Sequence, residues 1–149
     1  MTKLQWTPMM RISFGVLATN CVGYFWLMFQ MIYPVQIFEF ITPVKPLGEW
    51  RAGSSVQYQM DVMKYIQLPA ISNTYLRNDR VTWNVDSHPS NYPVGRRTSV
   101  SAADLDPDIP PGPYVFGWSG TWKVNFLRDK TVTSESKEMV EILPAVKAK

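Results

Sequence analysis

The sequence contains one cysteine and one histidine, and this scarcity excludes several kinds of functional site. Cys21 lies in an uncharged apolar segment, so the chain cannot form an internal disulfide, and the rest of it has no cysteine nucleophile or cysteine-ligated zinc. His88 stands alone as well, which excludes a blue-copper site built from two histidines and a cysteine. We interpret Cys21 as a small packing residue, with acylation or a dimer contact within the membrane as the alternative.

Charge is also absent from one long stretch of the chain. Residues 12–38 contain no Asp, Glu, Lys or Arg, whereas 13 of the 15 basic and all 12 acidic residues lie from residue 39 onward. That later part is therefore nearly neutral, and its one basic pair, Arg96-Arg97, is too short to indicate nucleic-acid binding. We expect no nucleic-acid partner.

The uncharged stretch predicts one membrane-spanning helix. Residues 12–32 are long enough, at 1.5 Å per residue, to cross a hydrocarbon core of about 30 Å. We assign the helix to residues 12–33, since Pro34 cannot continue its hydrogen-bond ladder. A cleavable signal peptide is the alternative, but it requires small residues at the cleavage site, and residues 25–30 include none. Aromatic residues flank the segment as in an interfacial belt, namely Trp6 before it and Tyr24, Trp26 and Tyr33 at its far side.

The flanking positive charges predict an orientation. Lys3, Arg11 and the amino terminus precede the helix, whereas only Lys45 follows it within about 15 residues. We therefore expect residues 1–11 in the cytoplasm and the remainder in a periplasm or equivalent, with the lipid bilayer as the first partner. Another membrane or envelope protein is the second expected partner. The helix also offers an oligomer contact through Asn20, with Gly15 and Gly23 permitting close approach.

Beyond a proline-punctuated juxtamembrane segment, residues 34–47, the chain predicts β-strands. Apolar and polar residues alternate there with a period of two, the pattern of half-buried strands, and turn residues separate the runs. We therefore expect a mainly β architecture, an Ig-like antiparallel sandwich of about seven strands over residues 48–144, followed by a tail at residues 145–149. The apolar positions of the runs are Val56, Tyr58, Met60 and Val62; Val81, Trp83 and Val85; Tyr114, Phe116 and Trp118; Trp122, Val124 and Phe126; and Val140 with Ile142.

Two local features refine the strand assignment. Tyr114 follows a run of prolines at the start of a strand, as in the tyrosine corner of Ig-like domains, although a simple core aromatic is the alternative. Ser119-Gly120 reads as the tight turn of a hairpin, which would bring Trp118 and Trp122 together at its tip.

Three groups of residues are candidates for chemistry. Asp104, Asp106 and Asp108 alternate and form a weak candidate metal site, although an acidic turn explains them as well. His88, with Asp86 close by, fits a surface loop better than a catalytic triad, since no nucleophile elbow is present. A Ser–Lys peptidase dyad would need Ser54 or Ser55 beside Lys64, but the predicted strand separates them by roughly 30 Å. We therefore expect no enzyme activity and no cofactor.

Aromatic residues are the remaining candidates for binding. The predicted domain has more of them than a small core readily buries, and Tyr and Trp are enriched at binding surfaces. The binding or structural candidates are Trp118, Trp122, Tyr92 and Tyr114, and further surplus aromatics are Trp50, Tyr65 and Tyr75.

Several short motifs carry a resemblance that spans most of residues 44–143. They are Arg51-Ala52-Gly53-Ser54-Ser55-Val56-Gln57-Tyr58, Met63-Lys64-Tyr65, Gly112-Pro113-Tyr114, Val124-Asn125-Phe126-Leu127-Arg128 and Ser134-Glu135-Ser136. In this layout the chain resembles small bitopic membrane proteins of tailed bacteriophages, which couple a short anchor to one Ig-like domain. The resemblance implies a phage or bacterial setting and no catalytic residues. Such families often have a cysteine where this chain has Met63, and this departure removes any redox or disulfide argument.

These observations favour a non-enzymatic, membrane-anchored binding or structural protein that presents a β-sandwich outside the membrane. An accessory single-pass subunit of a larger membrane complex is the alternative. An anchored hydrolase using His88 or the pair Asp104 and Asp106 is a third hypothesis.

Overall fold

The computed structural model describes residues 7–33 and 35–146, and the chain forms two compact units with their boundary between Val35 and Gln36. It is mainly β, with one apolar helix near the N-terminus, as the sequence predicts. The elements are α1 (Pro8–Ile32), β1 (Phe38–Leu47), β2 (Trp50–Arg51), β3 (Ser55–Lys64), β4 (Ala70–Arg77), β5 (Thr82–Ser90), β6 (Gly95–Asp104), β7 (Gly112–Asn125), β8 (Arg128–Glu135) and β9 (Val140–Leu143).

Helix α1 is long and apolar enough to cross a membrane. It begins after Thr7, whose hydroxyl accepts the N–H of Met10 at 3.3 Å, and proline occupies its first turn, where no backbone donor is needed. None of its 25 residues is buried, so its apolar side chains do not pack into a protein core. Lys3, Trp6 and Pro34, which flank the predicted membrane-spanning segment, lie outside the described residues.

The strands form two sheets with the order of an Ig-like sandwich. One sheet has the order β1-β3-β6, and the other has the order β2-β9-β7-β4-β5 with β8 also beside β7. All pairs are antiparallel except β2 with β9. The sequence predicts about seven strands and the described residues form nine, because two of the nine are short continuations: β2 carries β1 across to the second sheet, and β9 extends β8 along the same edge of β7.

The sandwich begins earlier than the sequence predicts. Residues 38–47, expected in a juxtamembrane segment, form β1, which pairs with β3 and buries Phe38 and Val44 in the core. Pro43 and Pro46 lack a backbone N–H, but β1 is an edge strand with two register shifts. The two prolines therefore do not interrupt the hydrogen-bond ladder of a central strand.

The predicted hairpin at Ser119-Gly120 is wrong, because β7 runs through both residues without a turn. Trp118, Gly120 and Trp122 project to one face of the strand, and the two indole rings are 6.3 Å apart. A Cβ atom at residue 120 would lie 2.5 Å from both rings. Glycine is therefore needed at this position for close packing. The hairpin turn falls instead at residues 126–127, between β7 and β8.

The predicted tyrosine corner is confirmed. Tyr114 is buried, and its hydroxyl donates a hydrogen bond of 3.0 Å to the carbonyl oxygen of Pro110, four residues upstream. This bond ties the loop before β7 to the strand itself, as in other Ig-like domains.

The sandwich has two ends, which we name by one residue at each. At the Phe38 end, Phe38 pairs with Lys64, and the loops are residues 65–69, 91–94 and 126–127. At the Asp104 end, Asp104 pairs with Ser55, and the loops are residues 52–54, 78–81 and 105–111. Each of these loops lies at one end only, whereas the segment 136–139, which joins β8 to β9, lies part-way along the edge of β7.

Candidate functional site

The aromatic candidates for binding lie mostly inside the sandwich. Trp118, Trp122 and Tyr114 are each at most 2% exposed, and Trp50, expected among the surplus aromatics, is 1% exposed. Phe38 joins the two tryptophans in one stack, with ring centroids 5.5 Å from Trp118 and 4.8 Å from Trp122. These rings therefore form the core, and they are not available to a ligand.

The same core carries polar atoms without a hydrogen-bond partner among the described residues. Each such atom bears a desolvation penalty of about 1–3 kcal/mol. The indoles of β7 thus stabilise the sandwich through ring packing, which must outweigh that penalty. The four atoms on β4 and β7 are Ser72 Oγ, Thr74 Oγ1, Trp118 Nε1 and Trp122 Nε1.

The three aspartates of the weak metal candidate lie in and beside a turn at the Asp104 end. Asp104 is the last residue of β6, and Asp106 Oδ1 accepts the backbone N–H of Asp108 at 2.8 Å. This bond shapes the turn that places Leu105 and Ile109 in the core. Across residues 7–33 and 35–146, no three His, Cys, Asp or Glu side chains lie together as metal ligands would.

His88 lies in strand β5, not in the predicted surface loop. Its Nδ1 atom is 3.0 Å from Asp86 Oδ2, so two members of a Ser-His-Asp arrangement are in contact. Ser72 pairs with His88 across the ladder, but its hydroxyl is fully buried and has no hydrogen-bond partner among the described residues. A substrate has no access to that hydroxyl, so this geometry does not form a nucleophilic site.

Lys64 is a buried cation that holds two loops at the Phe38 end. Its Nζ donates to the carbonyl oxygens of Leu68 at 2.8 Å and Tyr92 at 2.7 Å, in the β3–β4 and β5–β6 loops. Burial lowers the pKa of this ammonium group. Ser54 donates instead to the carbonyl of Arg51, so the serine and lysine of the considered dyad serve separate structural contacts.

The loops of the Phe38 end also expose apolar side chains. Phe126 and Leu127, at the hairpin tip, are 65% and 43% exposed, and the neighbouring loops expose Tyr65, Ile66 and Val94. Tyr92 lies beside them, half-buried, with its ring 6.5 Å from that of Phe38. Among the described residues, the loops of the Asp104 end expose one large apolar side chain, Val81.

A groove of about 800 Å³ lies between β1 and the segment that joins β8 to β9. Ser136 begins that segment: its N–H donates to the carbonyl oxygen of Phe116 at 2.8 Å, and its hydroxyl accepts the N–H of Phe116 at 3.2 Å. Charges of both signs and prolines line the groove, including Pro43, Lys45, Glu49, Lys137, Glu138 and Glu141.

The sequence carries a signal for the exposed loops. The apolar alternation predicts Phe126 on a strand face, where the structure has a turn, and the pair Tyr65 and Ile66 follows the last buried residue of β3. Apolar residues inside short turns are unusual, since turns between strands are mostly polar. Such residues indicate a surface for contact.

The fold defines the class of protein: a helix of membrane-crossing length joined to an Ig-like β-sandwich. Comparison with models of known protein families and with curated proteins gives no match for the chain.

Proposed function

We propose that the chain is a membrane-anchored, non-enzymatic binding or structural protein. In this proposal α1 is a single-pass anchor with its N-terminus in the cytoplasm, and the sandwich faces a periplasm or equivalent. The phage or bacterial setting implied by the resemblance belongs to the same proposal. The observation that carries it is the unburied apolar surface of α1, joined by a short link to a sandwich with a complete core of its own.

The polar side chains of α1 are compatible with a lipid environment. Thr19 donates its hydroxyl to the carbonyl oxygen of Gly15 at 2.9 Å, and Asn20 donates an amide N–H to that of Val16 at 3.0 Å. These bonds within the helix reduce the free energy of placing polar groups in hydrocarbon. The helix therefore does not depend on a second helix to satisfy these donors, which favours an anchor over an accessory subunit.

A charge placed at the helix centre tests the anchor. We expect Val22→Arg to move much of the full-length protein from the membrane pellet to the alkaline-carbonate supernatant, since a central Arg costs about 2.5–3.5 kcal/mol on insertion. Met9→Arg, near the helix start, is the matched control and stays in the pellet. If Val22→Arg also stays in the pellet, insertion of α1 is wrong.

Protease protection tests the orientation. Protease added to intact spheroplasts is expected to digest the sandwich of the wild-type chain, whereas a cytoplasmic control protein stays protected. Protection of the sandwich would reverse the proposed orientation. A stoichiometric partner that remains bound after detergent extraction would instead support the accessory-subunit hypothesis, and an activity lost on His88→Ala would support the hydrolase.

A further inference from the structure

The two ends of the sandwich differ in chemistry. Five large apolar side chains are exposed in the three loops of the Phe38 end: Tyr65, Ile66, Val94, Phe126 and Leu127. The loops of the Asp104 end carry charged side chains instead, namely Asp79, Arg80, Asp106 and Asp108, and Asp104 lies beside them. A soluble monomer rarely groups exposed apolar residues in this way without a contact to make.

Chain connectivity restrains one of these ends. Strand β1 begins at Phe38, and only five residues separate it from the end of α1 at Ile32. Six extended steps of about 3.5 Å allow a link of no more than about 20 Å. If α1 spans a bilayer, the Phe38 end is therefore held close to the lipid surface. The Asp104 end lies a strand length away, roughly 40 Å along β7.

The loops that carry the apolar residues are held in place. Lys64 bonds to carbonyl groups in two of them, and Asn125 Oδ1 accepts the N–H of Leu127 at 2.9 Å in the third. Tyr65 donates its hydroxyl to Glu39 at 2.8 Å while its ring remains partly exposed. A tyrosine with a polar, hydrogen-bonded hydroxyl and an exposed apolar ring suits the interface between lipid headgroups and acyl chains.

We propose that the Phe38 end of the sandwich inserts its apolar loop residues into the interfacial layer of the bilayer that holds α1. This inference rests on the proposed membrane anchoring. The occupant of the apolar loops is the lipid of that bilayer, and the charged Asp104 end, a strand length away, does not contact it.

Depth-dependent fluorescence quenching in liposomes tests the proposal with the full-length chain. A thiol-reactive fluorophore is placed at Leu127 in the variant Cys21→Ser/Leu127→Cys, and at the opposite end in Cys21→Ser/Asp79→Cys. Nitroxide lipids labelled near the headgroup are expected to quench the first label at least threefold more strongly than the second. Equal quenching of the two labels would overturn the proposal.

The native cysteine separates failure of this inference from failure of anchoring. A label on Cys21 of the wild-type chain is expected to be quenched by nitroxides deep in the acyl chains. If Cys21 is quenched and Leu127 is not, the anchor stands and lipid contact by the loops is wrong. If neither is quenched, both proposals are wrong.

A polar substitution then tests which residues make the contact. With the label at Ile66→Cys in the Cys21→Ser background, Phe126→Ser is expected to reduce shallow quenching about twofold. Val81→Ser, the matched change at the Asp104 end, is expected to leave it unchanged. An equal effect of both substitutions, or no effect of Phe126→Ser, would contradict insertion of the hairpin tip.

Discussion

Gly117 and Gly120 lie three residues apart in β7, and each faces an aromatic ring that occupies the space of its missing side chain. The ring over Gly117 belongs to Tyr75, its partner across the β4–β7 ladder, which is only half-buried. The rings beside Gly120 belong to Trp118 and Trp122, which are fixed in the core. The same substitution therefore meets a movable neighbour at one site and rigid neighbours at the other.

We expect Gly120→Ala to lower the free energy of unfolding by about 1–3 kcal/mol, because neither indole can move without displacing the core. Gly117→Ala is the matched control, and about 1 kcal/mol is expected there, since the Tyr75 ring can swing outward at the expense of one hydrogen bond. Urea unfolding of the full chain in mild detergent, followed by tryptophan fluorescence, measures both. An equal or larger effect at Gly117 would contradict the assigned packing.

Tyr75 also gives the sandwich a dependence on alkaline pH. Burial, followed by the hydrogen bond to Glu135, raises the pKa of Tyr75 to about 12. A phenol whose pKa is higher in the folded state contributes stability fully below pH 10, and that contribution is lost as the pH rises toward 12. We expect Tyr75→Phe to reduce the slope of stability against pH between 10 and 12.

Tyr58 accounts for the dependence of stability on pH that remains in the Tyr75→Phe chain. Burial raises the pKa of Tyr58 as well, so the folded state also loses stability through this residue as the pH rises. Unfolding midpoints of the wild-type and Tyr75→Phe chains at several alkaline pH values provide the measurement. Parallel curves for the two chains would show that Tyr75 does not titrate with folding.

Strand β1 is the element that most changes the expected organisation of the chain. Its residues Phe38 and Val44 are nearly fully buried, so it belongs to the core and not to a linker. Its alternation is interrupted by register shifts between Phe40 and Thr42 and between Thr42 and Lys45. The alternation of apolar and polar residues therefore does not predict this strand.

We expect Phe38→Ala to destabilise the sandwich by about 3–5 kcal/mol, since it removes a ring from the aromatic stack and leaves a cavity. Ile41→Ala in the same strand is the control, because Ile41 is 40% exposed and its loss opens no cavity. Thermal unfolding of the full chain distinguishes the two. If both substitutions have similar small effects, β1 does not contribute to the core.

The elements that the sequence predicts correctly are those whose burial follows a single local rule. In β3, the predicted residues Val56, Tyr58, Met60 and Val62 are all buried, because an unbroken strand between two neighbours turns every second side chain inward. The predicted turn at Ser119-Gly120 is wrong because the glycine there serves packing and not a turn. It is required by the rings at residues 118 and 122, which lie on the same face of the strand.

At the scale of the whole molecule, the candidate surfaces depend on which loops meet at the same end. The tyrosine corner could be predicted, since its proline run and tyrosine are adjacent in sequence. The apolar cluster of the Phe38 end could not, because Ile66, Val94 and Leu127 are far apart along the chain and only the strand registers bring their loops together.

The path of the chain through the sandwich has a mechanical consequence. The chain enters β1 at the Phe38 end and leaves β9 at the Asp104 end, after Leu143. Tension between an anchor at the N-terminus and a load at the C-terminus would therefore act along the strands, in shear. The parallel pair β2–β9, with two residue pairs, and the ladder β1–β3, with seven, would bear that force along their length. Under the proposed anchoring, these two ladders would be the first to resist a pull on the domain.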